Sequence, residues 1–118
     1  MTITREPLQQ PSRVAVLIDG RCGSSCEAFL LEARQSEKVR LIGRPTGGNL
    51  DYGNMFPHPL PSGRTVWAST TRSRRLPENP IDDTGILPDV EMDPALFDGA
   101  MRSEALARVI QELRARAD

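Results

Sequence analysis

The sequence predicts a mixed α/β domain, and three observations carry that prediction. Val14-Ala15-Val16-Leu17-Ile18 is an unbroken apolar, largely β-branched run, as expected of a strand covered on both faces in a parallel sheet. A helical stretch and then a second apolar run, Val39 to Gly43, follow it, which makes one right-handed βαβ unit. Near the C-terminus, Leu106, Val109, Ile110 and Leu113 recur at i, i+3, i+4 and i+7 among charged residues, the signature of an amphipathic helix.

Taken in order, residues 1–12 hold Pro7, Gln9, Gln10 and Pro11 and read as an irregular lead-in with nothing to bury. The first strand runs from Arg13 to Ile18 and the helix from about Ser25 to Gln35. After Pro45 comes a glycine-rich loop, Thr46-Gly47-Gly48-Asn49. Met55 to Leu60 and Thr65 to Thr71 flank the turn Pro61-Ser62-Gly63-Arg64 and predict a hairpin. Arg72 to Asp83 is polar, contains Pro77 and Pro80, and reads as a surface excursion before a short strand around Ile86 to Val90. Asp93-Pro94 opens a further helix, with an N-cap followed by proline at the first helical position. There is no internal repeat.

The 118 residues allow one modest domain able to bury roughly two-thirds of its unfolded surface. Fifteen basic and sixteen acidic residues leave a formal net charge of -1, so no strong field recruits nucleic acid or an anionic membrane. The longest apolar run falls far short of the ~20 residues of a membrane span, and Met1 to Arg13 has no hydrophobic signal core. Cys22 and Cys26, the only cysteines, are spaced for neither a zinc set nor a C-x-x-C redox motif. A local disulfide and a pair of small packed thiols both fit them. Thr46-Gly47-Gly48 lacks the lysine and spacing of a phosphate loop, and no cofactor is expected.

The segment Gly20-Arg21-Cys22-Gly23-Ser24-Ser25-Cys26-Glu27 lies where strand hands over to helix. Ser24 and Glu27 have the S-x-x-E spacing of a capping box, which is a structural role. The same position puts a hydroxyl at the positive end of a helix, with the N–H of Ser25 placed to stabilise an oxyanion formed by attack of Ser24 on a carbonyl. The junction has the order of a nucleophile elbow without its G-x-S-x-G pattern.

Val16 to Arg21 and Gly23 to Glu27, then Leu41-Ile42-Gly43-Arg44-Pro45-Thr46-Gly47-Gly48, then Gly85-Ile86-Leu87-Pro88-Asp89-Val90 together resemble the carboxy-terminal processing (tail-specific) serine peptidases. The resemblance spans about Arg13 to Pro94. It implies a crotonase/ClpP-like α/β fold with residues 13–118 as the C-terminal portion of a catalytic domain. It also implies hydrolysis of peptide bonds in polypeptide substrates and a periplasmic or secreted setting.

Carried over residue by residue, the resemblance makes Ser24 the nucleophile and Ser25 a backbone oxyanion donor. In the Ser–Lys branch the base is a lysine at the position of Asn49, and asparagine cannot serve as a general base. Gly47-Gly48 is more similar to the tricorn-core branch, which uses serine, histidine and a relay acid. That acid falls on Asp82, one methylene shorter than the glutamate expected there, with Asp83 as the fallback. The histidine of that branch precedes the nucleophile strand by more than the thirteen residues found here, so an upstream segment or chain is expected to supply the base. His58, the only histidine, reads as a partly exposed strand residue between Pro57 and Pro59. Arg72, Arg74 and Arg75 read as a solvated cluster or as partners of a substrate carboxylate, and Trp67 as core or edge packing. The alternative from another class is a non-catalytic module of the same fold, similar to retinoid-binding repeats, that holds a peptide or hydrophobic ligand.

Overall fold

The computed structural model describes residues 10–97 and 102–115. A three-stranded parallel sheet carries the domain: β1 (Val14–Ile18), β2 (Val39–Gly43) and β5 (Val90–Glu91), in the order β1-β2-β5. β1 and β2 pair in register from Val14 opposite Val39 to Ile18 opposite Gly43, joined by α1 (Ser25–Ala33) as the predicted βαβ unit. Most of residues 1–12 lies outside the described residues, and Gln10 to Ser12 have no regular structure.

Side chains alternate across the sheet, so the strands feed two apolar clusters. On one face Ile18 and Leu41 pack with Leu30 of α1, Cys22, Ile81 and Ile86, and Val16 and Val39 extend the cluster. On the other, Ile42 packs with Met92 and with Val109 of α2 (Arg102–Arg114), flanked by Ala15, Phe97 and Leu113. Arg13 Nη1 donates to the Leu113 carbonyl and ties α2 to the start of β1. The two-faced burial expected of β1 is met except at Leu17, which is 46% exposed because α2 covers the other end of the strand.

β3 (Tyr52–Pro59) and β4 (Thr65–Arg72) form the predicted hairpin as a separate antiparallel pair, one residue or a few longer than its apolar run suggested. It is exposed on both faces, so Trp67, opposite Pro57, is an edge residue in solvent rather than core. The strand expected over Ile86 to Val90 is shorter. Pro88 has no N–H for the ladder, Ile86 gives its N–H to Thr46 Oγ1, and the Asp89 carboxylate takes the Leu41 N–H that a strand carbonyl would use. The helix expected after Asp93 is one 3-10 turn, Pro94–Phe97, with Asp93 Oδ1 accepting from Ala95 N–H (3.0 Å). Among the described residues no helix is long and apolar enough to cross a membrane.

Candidate active site

β1 ends at Ile18 and the chain turns through Asp19 to Gly23 before α1 begins. Ser24, the N-cap, has φ 53° and ψ -115°, a conformation that a side chain with Cβ rarely adopts. Three restraints hold it. Cys22 and Cys26 form a disulfide across it, with Cα atoms 5.4 Å apart, which settles the alternatives left open by their spacing. Cys22 also accepts the Gly47 N–H through its carbonyl (2.7 Å). The third restraint is Glu27, whose Oε2 accepts the Ser24 N–H (3.0 Å) in the capping-box arrangement. Ser24 and Ser25 are exposed, and Ser25 carries one of the orphan N–H groups of the helix start.

Glu27 does more than cap. Its side chain is fully buried, and its two oxygens take four donors. Oε1 accepts from the Thr46 hydroxyl (2.6 Å) and Gly48 N–H (2.8 Å), while Oε2 accepts from Asn49 N–H (2.9 Å) as well as Ser24. Burial pushes the carboxyl up, but the bonds from Thr46, Asn49, Gly48 and Ser24 together outweigh it and hold the group below its ordinary value. The glutamate is therefore an anionic hub that fastens the serine turn to the glycine-rich loop. The sequence signalled its helix cap and gave no sign of the loop.

That loop is fastened in turn to the segment after the hairpin. Asp82 Oδ1 accepts from the N–H groups of Leu50 (2.6 Å) and Asp51 (2.7 Å), and Asp51 Oδ2 accepts from those of Ile81 and Asp82 (2.8 Å). The two carboxylates thus clasp each other's backbone. Asp51 is buried and pairs with Arg75 (2.9 Å). Burial raises its carboxyl, and the bonds from Asp82, Ile81 and Arg75 bring it below its ordinary value. Gly48, at φ 69°, makes the close approach possible, since a Cβ there would meet Asp83 N and Ile81 O at 2.9 Å.

The structure thus links Ser24 and Asp82 through Glu27 and the glycine-rich loop, with Ser25 next to Ser24 in the chain, Asp82 half-buried and Asp83 exposed beside it. Asn49 lies at the turn too: its Nδ2 is 3.3 Å from the point where a Cβ on Gly23 would sit. His58 is not brought in. It is exposed on the hairpin, edge-on to Phe56, six strand residues beyond Tyr52 and hence about 20 Å along the ribbon. Arg75 leaves the solvated cluster to pair with Asp51, while Arg72 and Arg74 stay exposed. Among the described residues no group of three or more His, Cys, Asp or Glu is placed to hold a metal ion.

The sequence profile of peptidase family S41 matches residues 2–92. The fold is similar to that of the tricorn protease (20% identity, TM-score 0.60), over 97% of this chain and 12% of that one. It is also similar to the photosystem II D1 C-terminal processing protease (23%, 0.57), over 84% of this chain and 25% of that one. Mature CPAF matches at 17% identity and TM-score 0.55, over 88% of this chain and 21% of that one. The chain therefore spans between about an eighth and a quarter of the length of these structures. No curated protein matches it. With the profile covering most of its length and the serine, glycine-rich and Gly-x-x-Pro-Asp motifs in order, the chain belongs to peptidase family S41, the carboxy-terminal processing type of serine peptidase.

Proposed function

We propose that residues 13–118 are the C-terminal, nucleophile-bearing portion of a crotonase/ClpP-like catalytic unit that hydrolyses peptide bonds in polypeptides, with residues 1–12 as its lead-in. Ser24 Oγ attacks the scissile carbonyl, the Ser25 N–H stabilises the oxyanion, and Asp82 orients the base. The observation that carries this reading is the backbone of Ser24. A cap needs no positive φ, whereas a nucleophile that must stand clear of its strand and helix does. Asp82 is suited to its role because two N–H bonds fix one carboxylate oxygen and leave Oδ2 to accept from an imidazole. A histidine on an upstream segment or chain supplies the base, which takes the Ser24 proton and later delivers it to the leaving amine.

A serine-directed fluorophosphonate tests this. With imidazole added as a surrogate base, the wild-type chain is expected to be labelled faster than without it, and Ser24→Ala is expected to take up none. Equal labelling of the two proteins would remove Ser24 from the mechanism. One observation favours the second reading, a binding module without catalysis: an amide, Asn49, stands beside the serine turn at the position of the Ser–Lys branch's base. That reading predicts no Ser24-dependent labelling at any imidazole concentration.

A further inference from the structure

The disulfide and the candidate nucleophile share one turn, since the bridge from Cys22 to Cys26 encloses Ser24. Its two ends differ in access. Cys22 lies in the apolar cluster with Ile18, Leu30 and Leu41 and is 9% exposed, whereas Cys26, the second residue of α1, is exposed. A thiolate arriving from solvent therefore meets the Cys26 end of the bridge. Cys26 also lies in the first turn of α1, where the positive end of the helix stabilises a thiolate once the bridge opens and so favours its reduction.

Opening the bridge bears on the serine rather than on the fold. As a thiol, Cys22 remains a small apolar side chain in its cluster, and neither the Glu27 hub nor the clasp of Asp51 and Asp82 uses a sulfur. Ser24 is more sensitive. A residue with a Cβ at φ 53° and ψ -115° is disfavoured about five- to a hundredfold against relaxed backbone. Closing the loop from Cys22 to Cys26 contributes about thirtyfold, which is of the same order. Without the bridge, only the bond from Ser24 N–H to Glu27 and that from Gly47 N–H to the Cys22 carbonyl oppose relaxation of the turn.

We propose that Cys26 is a site of reversible exchange with a dithiol, and that this exchange switches the Ser24 turn between a held, oxidised form and a relaxed, reduced one. Only the consequence for catalysis rests on the nucleophile reading; the exchange site and the loosening of the turn do not. One thiolate of the dithiol attacks Cys26 Sγ, the bond between the two sulfurs breaks, and Cys22 leaves as a thiolate that takes up a proton. The second thiolate of the dithiol then displaces Cys26 from the mixed disulfide. Two electrons and two protons have passed from the dithiol to Cys22 and Cys26, and the dithiol has become a disulfide; an oxidised dithiol reverses the steps.

The test holds the whole chain in mixtures of reduced and oxidised dithiothreitol without denaturant. Millimolar dithiothreitol should open the bridge, with amide hydrogen exchange at Ser24 and Gly47 rising roughly tenfold while Leu41 and Ile42 in the sheet keep their protection. Fluorophosphonate labelling in the presence of imidazole should fall roughly tenfold on reduction and return on re-oxidation. A bridge that opens only in denaturant, unchanged exchange at Ser24 and Gly47, or protection lost throughout the sheet would overturn the proposal. Single variants locate the reactive end: Cys26 in Cys22→Ala should form a mixed disulfide with oxidised glutathione roughly tenfold faster than Cys22 in Cys26→Ala, and the reverse order would remove Cys26 as the site. The wild-type measurements decide the switch even where a single variant fails to fold. Redox-dependent exchange at Ser24 and Gly47 with no Ser24 labelling in either form upholds the site and defeats only the nucleophile reading, whereas Ser24 labelling that ignores the redox state defeats the switch.

Discussion

Replacing Glu27 by glutamine tests the hub that holds the serine turn. The carboxylate receives donors on both oxygens, Thr46 and Gly48 on one, Ser24 and Asn49 on the other. A glutamine NH2 therefore faces two donors whichever way the amide is turned. Two hydrogen bonds to a charged group are lost, at about 1.5–3 kcal/mol each, so the substitution should cost about 3–6 kcal/mol, a large part of an ordinary domain's stability. At this chain length that lowers Tm by roughly 15 °C.

The pH dependence carries a second signature. The folded carboxyl titrates below its ordinary 4.5, so its stabilisation is fully present above that value and is lost as pH falls through the lower folded value. Denaturant titrations at neutral pH and at successively lower pH should show wild type and Glu27→Gln converging as acid protonates the wild-type glutamate. A neutral-pH difference below about 1 kcal/mol, or one that does not shrink in acid, would refute the reasoning.

Asp51→Asn breaks the pair with Arg75 and sets an amide NH2 against the Ile81 and Asp82 N–H groups or against Arg75, so urea unfolding should show a loss of about 3 kcal/mol. Ser24→Gly removes a side chain from a positive-φ position and should raise stability by about 1 kcal/mol while abolishing fluorophosphonate labelling; a clear loss of stability would show that the serine is there as a cap. A thiol count on the denatured chain should read zero before reduction and two after, and the Cys22→Ser, Cys26→Ser double variant should lose about 2 kcal/mol, the loop-closure value for five residues.

The elements visible in the sequence are those whose signals are local. The apolar runs of β1 and β2, the turn at Gly63 and the 3.6-residue period of α2 each depend on residues close by in the chain, and each formed where that pattern lay. β5 was cut short by a rule equally local but competing, the missing N–H of Pro88. Ser24 could be placed at a strand-to-helix junction, but its φ could not be read, because the disulfide and Glu27 together impose it. The roles of Glu27 and Asp51 were hidden for a different reason. Most of their distant donors are backbone N–H groups about twenty and thirty residues away, and any residue type can offer one, so no side-chain pattern marks them. Arg75 likewise reads as one of three surface arginines until the fold brings Asp51 beside it.

The central claim is that Ser24 is a poised nucleophile with the Ser25 N–H as its oxyanion donor. The most direct measurement is boron-11 NMR of a peptide boronic acid added to the chain together with imidazole as the surrogate base, since a serine oxygen that attacks boron converts it from trigonal to tetrahedral. The account predicts a tetrahedral signal with wild type, accompanied by a shift of the Ser25 amide, and only trigonal boron with Ser24→Ala. A tetrahedral signal that survives Ser24→Ala, or none with wild type, would contradict it.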